Sequence, residues 1–377
     1  MTAAPRRDTP LAVKLKARIA RTGPITVAQY IEACLQDPQH GYYQRHPAIG
    51  RDFVTAPEIS QVFGELIGLW AAVVWQQMGQ PRPVQLVELG PGHGTMMRDM
   101  LRAVRIVPDF LSAMEVSLIE TSAALATRQS NLLRGAGVPV QVRNALADVA
   151  PGAAIVIGNE FLDALPARQY VRAQTAWHER TVELGALDDL QFGMGAVADA
   201  GLLGELGRRF PDARQGDIVQ GHPEIEKVTV WMAERAAAHP IAGLFIDYGH
   251  ITSATGDTLE ATREHRSEHP LTSPGEADLT LHVDFESVAR EFGAERDLDV
   301  DGPVTQAEFL GALGIAERAS RLMSSNPAMA NAIEMGVQRL MAPHAMGTRF
   351  KVIGIRSKEL PVLPGLAGHQ TPAERSC

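Results

Sequence analysis

The sequence predicts an α/β protein: a mostly parallel sheet with helices on both faces, an N-terminal helical extension and an antiparallel insertion. Three observations predict it. Short apolar runs at 84–89, 116–119, 138–142 and 154–157 alternate with helix-like stretches. A glycine-rich turn, Gly90 to Gly94, closes the first run and opens a helix. Beyond about residue 167 the rhythm changes to polar–apolar alternation separated by turns.

In order, Leu11, Leu15 and Ile19 recur every four residues and predict a first helix that stops at Gly23-Pro24. Thr26 begins a second as its N-cap, with Gln29 at the capping-box position and Ile25 and Tyr30 placed to form a staple. Residues from Ile59 to Val74 are apolar on a wide face, so that helix is mostly buried. Helices are expected after Gly94 and over Thr121 to Leu133. Arg168 to Val171 and Trp177 to Leu184 read as antiparallel strands of the insertion. A helix over Pro223 to Ala238 leads to a strand at Leu244 to Ile246. A loop over 250–280 follows, and a loop that long is usually functional or mobile. Helix, short strand, further helices and a last strand, Arg349 to Ile355, precede a loose tail from about 360. The division expected is a helical lid over 1–80, a core over 81–166 and 241–358, and an inserted substrate-side subdomain over 167–240.

The 377-residue length allows two domains, or one large domain with an insertion. Lys and Arg number 35 against 44 Asp and Glu, a net charge of −9 that argues against coating nucleic acid or an anionic membrane. Cys34 and Cys377 cannot build a disulfide framework or thiolate metal site, and a reducing compartment fits best. The uncharged stretch Leu66 to Gln80 has too few apolar residues to span a bilayer. Arg6, Arg7, Lys14, Lys16, Arg18 and Arg21 could suggest a mitochondrial transit peptide, but the apolar spacing favours an ordinary amphipathic helix. His265 and His269 have helical metal-ligand spacing with no ligand pattern beside them, so no metal is expected.

The central motif is Glu88-Leu89-Gly90-Pro91-Gly92-His93-Gly94. A dinucleotide site would want G-x-G-x-x-G; here the spacing is G-x-G-x-G, preceded by an acid that would repel a pyrophosphate and attract a cation. S-adenosylmethionine carries a sulfonium and an ammonium and no phosphate. The second strand ends in Glu120, placed to accept bonds from ribose hydroxyls. The third ends at Asn144-Ala145, where adenine contact and a plain turn are both open. Asn159, Glu160 and Asp163 follow the fourth strand, where ligands of open α/β sheets bind, although Asp163 is more simply a cap.

Read together, the motifs resemble the MidA-like methyltransferases, over nearly the whole chain. The carriers are Gly23 to Val27, His40 to Tyr43, Asp52 to Gln61 running into Phe63 to Leu66, Glu88 to Thr95, and Asn159 to Pro166. They continue with Asp247 to His250, Pro274 to Thr280, His282 to Phe285 and Met346 to Phe350. His93 stands where the family usually has Arg, and Arg51 where its first loop usually has Gly. The resemblance implies a class I, Rossmann-like methyltransferase fold and methyl transfer from S-adenosylmethionine to arginine of a protein. In the mitochondrial branch the substrate is a respiratory complex I subunit. A small-molecule methyltransferase, or a non-catalytic assembly factor that binds the cofactor, remains as an alternative.

On this reading Glu88, Gly90, Gly92, Gly94, Glu120, Asn144, Ala145, Asn159, Phe53 and Thr55 hold the cofactor. Glu160 is the first candidate for the acceptor-side carboxylate, with Asp247 or Glu58 second. Glu58 is equally placed to close a capping box on Thr55. Tyr248, His250 and Asp163 are the substrate-side candidates. The expected partner is a protein substrate, a homodimer is left open, and the place is the bacterial cytoplasm or alternatively the mitochondrial matrix.

Overall fold

Val84–Leu89 is buried along its whole length, as a central strand of a sheet covered on both faces must be. The computed structural model describes residues 8–45 and 55–367, which fall into two units. One contains 48–162, 227–251 and 285–377; the other contains 1–47, 163–226 and 252–284.

In the first unit, helix α1 (Gln61–Gln77) precedes strand β1 (Val84–Leu89), helix α2 (Thr95–Ala103) and strand β2 (Met114–Ile119). Helix α3 (Ala123–Leu132) leads to β3 (Val140–Arg143) and then β4 (Ala154–Asn159). Strands β5 (Ile241–His250), β6 (Leu298–Thr305) and β7 (Phe350–Ser357) complete the sheet. The order is β6-β7-β5-β4-β1-β2-β3. Strands β5, β4, β1, β2 and β3 run parallel, while β7 is antiparallel to both of its neighbours. The chain moves outward from β1 to β3 and then returns to β4 on the other side of β1. That reversal creates a crevice at the carboxyl ends of β1 and β4.

Register puts Glu88 beside Ile157, and Ile246 beside Asn159. Ile155, Ile157, Leu244 and Ile246 share the core with Phe63, Ile67, Trp70 and Val74 of α1. Glu88 and Asn159 therefore lie on the sheet face that α1 covers. The expected 59–74 helix is two: Ala56–Ile59 ends at Ser60, whose side chain then caps α1 by accepting from Val62 N–H.

In the second unit the capping box at Thr26 and Gln29 forms as expected, and Ile25 and Tyr30 are both buried. The insertion is antiparallel, with Arg168–Arg172 paired to Trp177–Leu184. Leu190–Val197, Ile218–Gly221 and the helix Ala200–Arg209 add to it. The division into 1–80, 81–166 with 241–358, and 167–240 is redrawn by the structure. Leu11, Leu15, Tyr30 and Ile31 share one core with Val182, Leu190, Leu259, Leu271 and Leu279. None of these segments has enough apolar surface to form a core alone.

Three further readings are corrected. The long loop 250–280 contains a three-stranded sheet: Glu260–Arg263, Arg266–Glu268 and Asp278–Thr280. Pro270 O accepts from the Tyr30 hydroxyl and Pro274 O from Thr9 Oγ1, each at 2.7 Å. His265 sits with Glu264 in the left-handed turn of that hairpin, so it shares no helix with His269. The tail is ordered well past 360, with Leu360, Leu363 and Leu366 in the first unit's core. Among the described residues, no helix is long and apolar enough to cross a membrane.

Candidate active site

The site is built on the carboxyl ends of β1, β2, β4 and β5. After β1 the backbone turns through Gly90, Gly92 and Gly94 with φ of 59°, 54° and 81°. A side chain there would strain the backbone, and at Gly90 a Cβ would stand 3.3 Å from the Phe161 ring. α2 begins directly after Gly94, with its first amide groups facing the turn.

Glu88 is 2% exposed, and burial pushes its carboxyl up to about 8. Its Oε2 meets no hydrogen-bond partner among the described residues. Glu120 directly follows β2. Its Oε1 accepts from Ser122 N–H at 2.7 Å and its Oε2 from Gln129 Nε2 at 3.1 Å. Burial raises its pKa against those bonds. Gln129 Nε2 also donates to Gly92 O at 2.7 Å, tying the glycine turn to Glu120. Ser122 Oγ and Gln129 Oε1 are buried without a partner among the described residues. A cluster of unsatisfied polar atoms around a glycine turn is unusual in a folded core. It fits a ligand with a cationic end at Glu88 and hydroxyl groups at Glu120, as S-adenosylmethionine has.

Asn144 and Ala145 are exposed, and Ala145 N–H donates to Asp148 Oδ2 at 3.1 Å. That amide serves its own turn. Phe53 lies outside the described residues. Thr55 is half-buried and makes no side-chain cap, so the capping box with Glu58 does not form. Glu58 Oε1 instead accepts from Thr95 Oγ1 at 2.6 Å and lies 3.4 Å from His93 Nδ1. It ties the short helix Ala56–Ile59 to the glycine turn. His93 supplies the other side of that tie.

Glu160 follows β4 with φ of 52°, an uncommon conformation for a residue with a side chain. Its N–H donates to Ile246 O at 2.8 Å. Its Oε1 accepts from Ala56 N–H at 3.1 Å and from Asn159 Nδ2 at 3.2 Å. Burial raises its pKa, opposed by those two donors and by the charge of Arg339. Asp247 is fully buried: Oδ2 accepts from Leu162 N–H at 2.8 Å and Oδ1 from Tyr248 N–H at 2.9 Å. Asp247 thus holds the Glu160–Leu162 turn onto the end of β5.

Tyr248 and His250 are half-buried at the end of β5, and the Tyr248 ring lies 6.0 Å from that of Phe350. Asp163 belongs to the other unit, where it is 7% exposed and its carbonyl accepts from Leu281 N–H.

The residues that sequence reasoning missed are Gln129, Ala56 and Lys351. Gln129 is wholly buried one turn beyond Leu125, a polar side chain at an apolar-spaced position of α3. That break in the pattern is its signal. Ala56 acts through its backbone and has none. Lys351 Nζ donates to the carbonyls of Gly249 (3.0 Å), Arg349 (3.2 Å) and Thr348, and burial lowers its pKa. It pins the end of β5 to the start of β7.

Comparison with known proteins places the chain among methyltransferases. A family model described as a putative S-adenosyl-L-methionine-dependent methyltransferase matches residues 66–304. The chain is 34% identical to the protein arginine methyltransferase NDUFAF7 homolog, mitochondrial, of Drosophila melanogaster, over 92% of this chain and 84% of that protein. It is 33% identical to the human protein arginine methyltransferase NDUFAF7, mitochondrial, over 92% of this chain and 83% of that one. A crystal structure of a likely methyltransferase from Burkholderia thailandensis, bound to S-adenosyl-homocysteine, superposes with a TM-score of 0.83 at 27% identity. It covers 97% of this chain and 96% of its own. Both of the NDUFAF7 relatives carry mitochondrial names.

Proposed function

The chain belongs to the family of S-adenosyl-L-methionine-dependent methyltransferases, and from that premise we propose that it methylates an arginine side chain of a protein substrate. The observation that carries the reading is Glu160: a half-buried carboxylate held at the end of β4, one strand from the glycine turn. The protein arginine methyltransferase names of the relatives support the same acceptor.

When bound, the cofactor supplies an electrophilic methyl group on a sulfonium. The chain's own residues do the rest. Glu88 meets the cationic end, and Glu120 takes the ribose hydroxyls. Asp247 and Ala56 N–H fix Glu160 in one orientation, so that positioning rather than covalent chemistry lowers the barrier. Glu160 holds a guanidinium, localises its charge away from the attacking nitrogen, and receives the proton as the new bond forms. The balance is one S–CH3 bond broken, one N–CH3 bond formed and one proton released.

A complex I subunit as the substrate extends this reading by the resemblance to the family's mitochondrial branch, and the relatives' names add mitochondria as the place. The test is methyl transfer from labelled S-adenosylmethionine into a lysate of the source cell, read by mass spectrometry. Label on arginine of a protein is the expected result; label on a metabolite overturns the reading.

A further inference from the structure

Asn159 is 8% exposed, and its two amide atoms have very different surroundings. Its Nδ2 donates to Glu160 Oε1 at 3.2 Å. A carboxylate only accepts, so this bond fixes which end of the amide faces Glu160. Oδ1 must then point elsewhere. It is buried with no hydrogen-bond partner among the described residues. A buried amide oxygen left unpaired is costly, and such an atom calls for an N–H or O–H donor.

We infer that Asn159 Oδ1 and the Glu160 carboxylate together read two N–H groups of the methyl acceptor, making Asn159 a specificity-determining residue. The inference rests on the arginine reading above and deepens it. Joined by one hydrogen bond, the amide oxygen and the carboxylate offer two acceptor groups side by side. A guanidinium presents several N–H donors in a fixed planar fork and satisfies both. An acceptor with one hydroxyl satisfies one and leaves the other buried and unpaired. A carboxylate or a carbon acceptor satisfies neither. The site therefore selects nitrogen that carries at least two protons on adjoining N–H groups.

The rival role for Asn159 is cofactor binding, since Glu88 shares its sheet face. The direct bond from Asn159 to Glu160 favours the acceptor side, and the two roles separate experimentally. The full chain, saturated with S-adenosylhomocysteine, is titrated with N-ethylguanidinium and followed by ligand-observed NMR. Asn159→Leu should weaken that binding about tenfold or more, the usual scale for a charge-assisted bond, and change S-adenosylhomocysteine affinity less than about twofold. Asn159→Asp keeps an acceptor at that position; it should retain guanidinium binding and guards against misfolding of the leucine variant. Loss of S-adenosylhomocysteine affinity with guanidinium binding intact would overturn the inference. So would unchanged binding of both, or no guanidinium binding by the wild type. The lysate experiment stays separate: protein arginine labelled with Asn159 variants unaffected sinks this inference alone, whereas label on another acceptor sinks the arginine reading with it.

Discussion

The turn after β1 and the turn after β4 sit side by side on one sheet, yet they are held in different ways. The first takes its shape from backbone freedom: three glycines with positive φ, tied to α3 by one glutamine. The second places a non-glycine residue, Glu160, at φ of 52° and holds it there with bonds from distant segments. Ile246 O, the Asp247 carboxylate and Ala56 N–H all contribute. On the proposed function the first turn need only admit a ligand to its backbone, whereas the second must aim a side chain, and aiming requires support.

The contrast breaks most sharply at Gly92→Val. A β-branched residue at φ of 54° is strained and distorts the turn. S-adenosylhomocysteine affinity by calorimetry should fall at least about a hundredfold, since left-handed backbone alone costs roughly 1–2 kcal/mol per residue and lost ligand contacts add to it. Affinity within a few-fold of wild type would show that the glycine turn is not the donor site.

Asp247→Ala tests the other turn. It leaves Leu162 N–H buried without its acceptor and should cost about 1–3 kcal/mol in denaturant unfolding. Methyl transfer should fall further than S-adenosylhomocysteine affinity. Asp247→Asn, which keeps one oxygen for Leu162 N–H, should restore part of the activity. Equal loss in both variants would make Asp247 a reacting carboxylate rather than a positioning one.

Glu88 gives a smaller, pH-dependent effect. Burial raises its carboxyl from 4.5 to about 8, so the free chain loses stability as pH climbs through that window. A cationic ligand reverses the sign: it favours ionised Glu88 and draws the proton off. S-adenosylmethionine affinity should therefore rise with pH across the window, by at most about tenfold per pH unit, with proton release visible in buffers of different ionisation enthalpy. Glu88→Gln should flatten the profile, and an unchanged slope in that variant would remove Glu88 from the cationic end.

Glu58→Gln should be the mildest, weakening ligand binding only a few-fold. Its oxygen ties Ala56–Ile59 to Thr95 and His93, but the Glu58 side chain is 30% exposed, so water competes for the bond. A hundredfold loss would place Glu58 among the reacting groups.

The same contrast governs what could be read from the sequence. The strand–glycine–helix pattern around Glu88 and the acid at Glu120 are local and periodic, and both appear where the spacing puts them. The support of Glu160 is not local: Ala56 contributes a backbone N–H, and Asp247 lies 85 residues from Leu162. Thr55-x-x-Glu58 shows the limit in reverse. The spacing matches a capping box, but the carboxylate finds a hydroxyl and an imidazole on the glycine turn instead. The segments 1–47 and 252–284 join the insertion through a core shared between distant residues, which no window of sequence displays.

The direct test of two separately held turns is to measure S-adenosylhomocysteine affinity and methyl transfer together in Glu160→Gln. The amide keeps an oxygen for Ala56 N–H but cannot take up a proton or balance a guanidinium charge. The variant should bind S-adenosylhomocysteine within about twofold of wild type and lose transfer about a hundredfold or more, the usual scale for a removed acid–base group. Transfer at the wild-type rate, or affinity lost in step with it, would contradict the account.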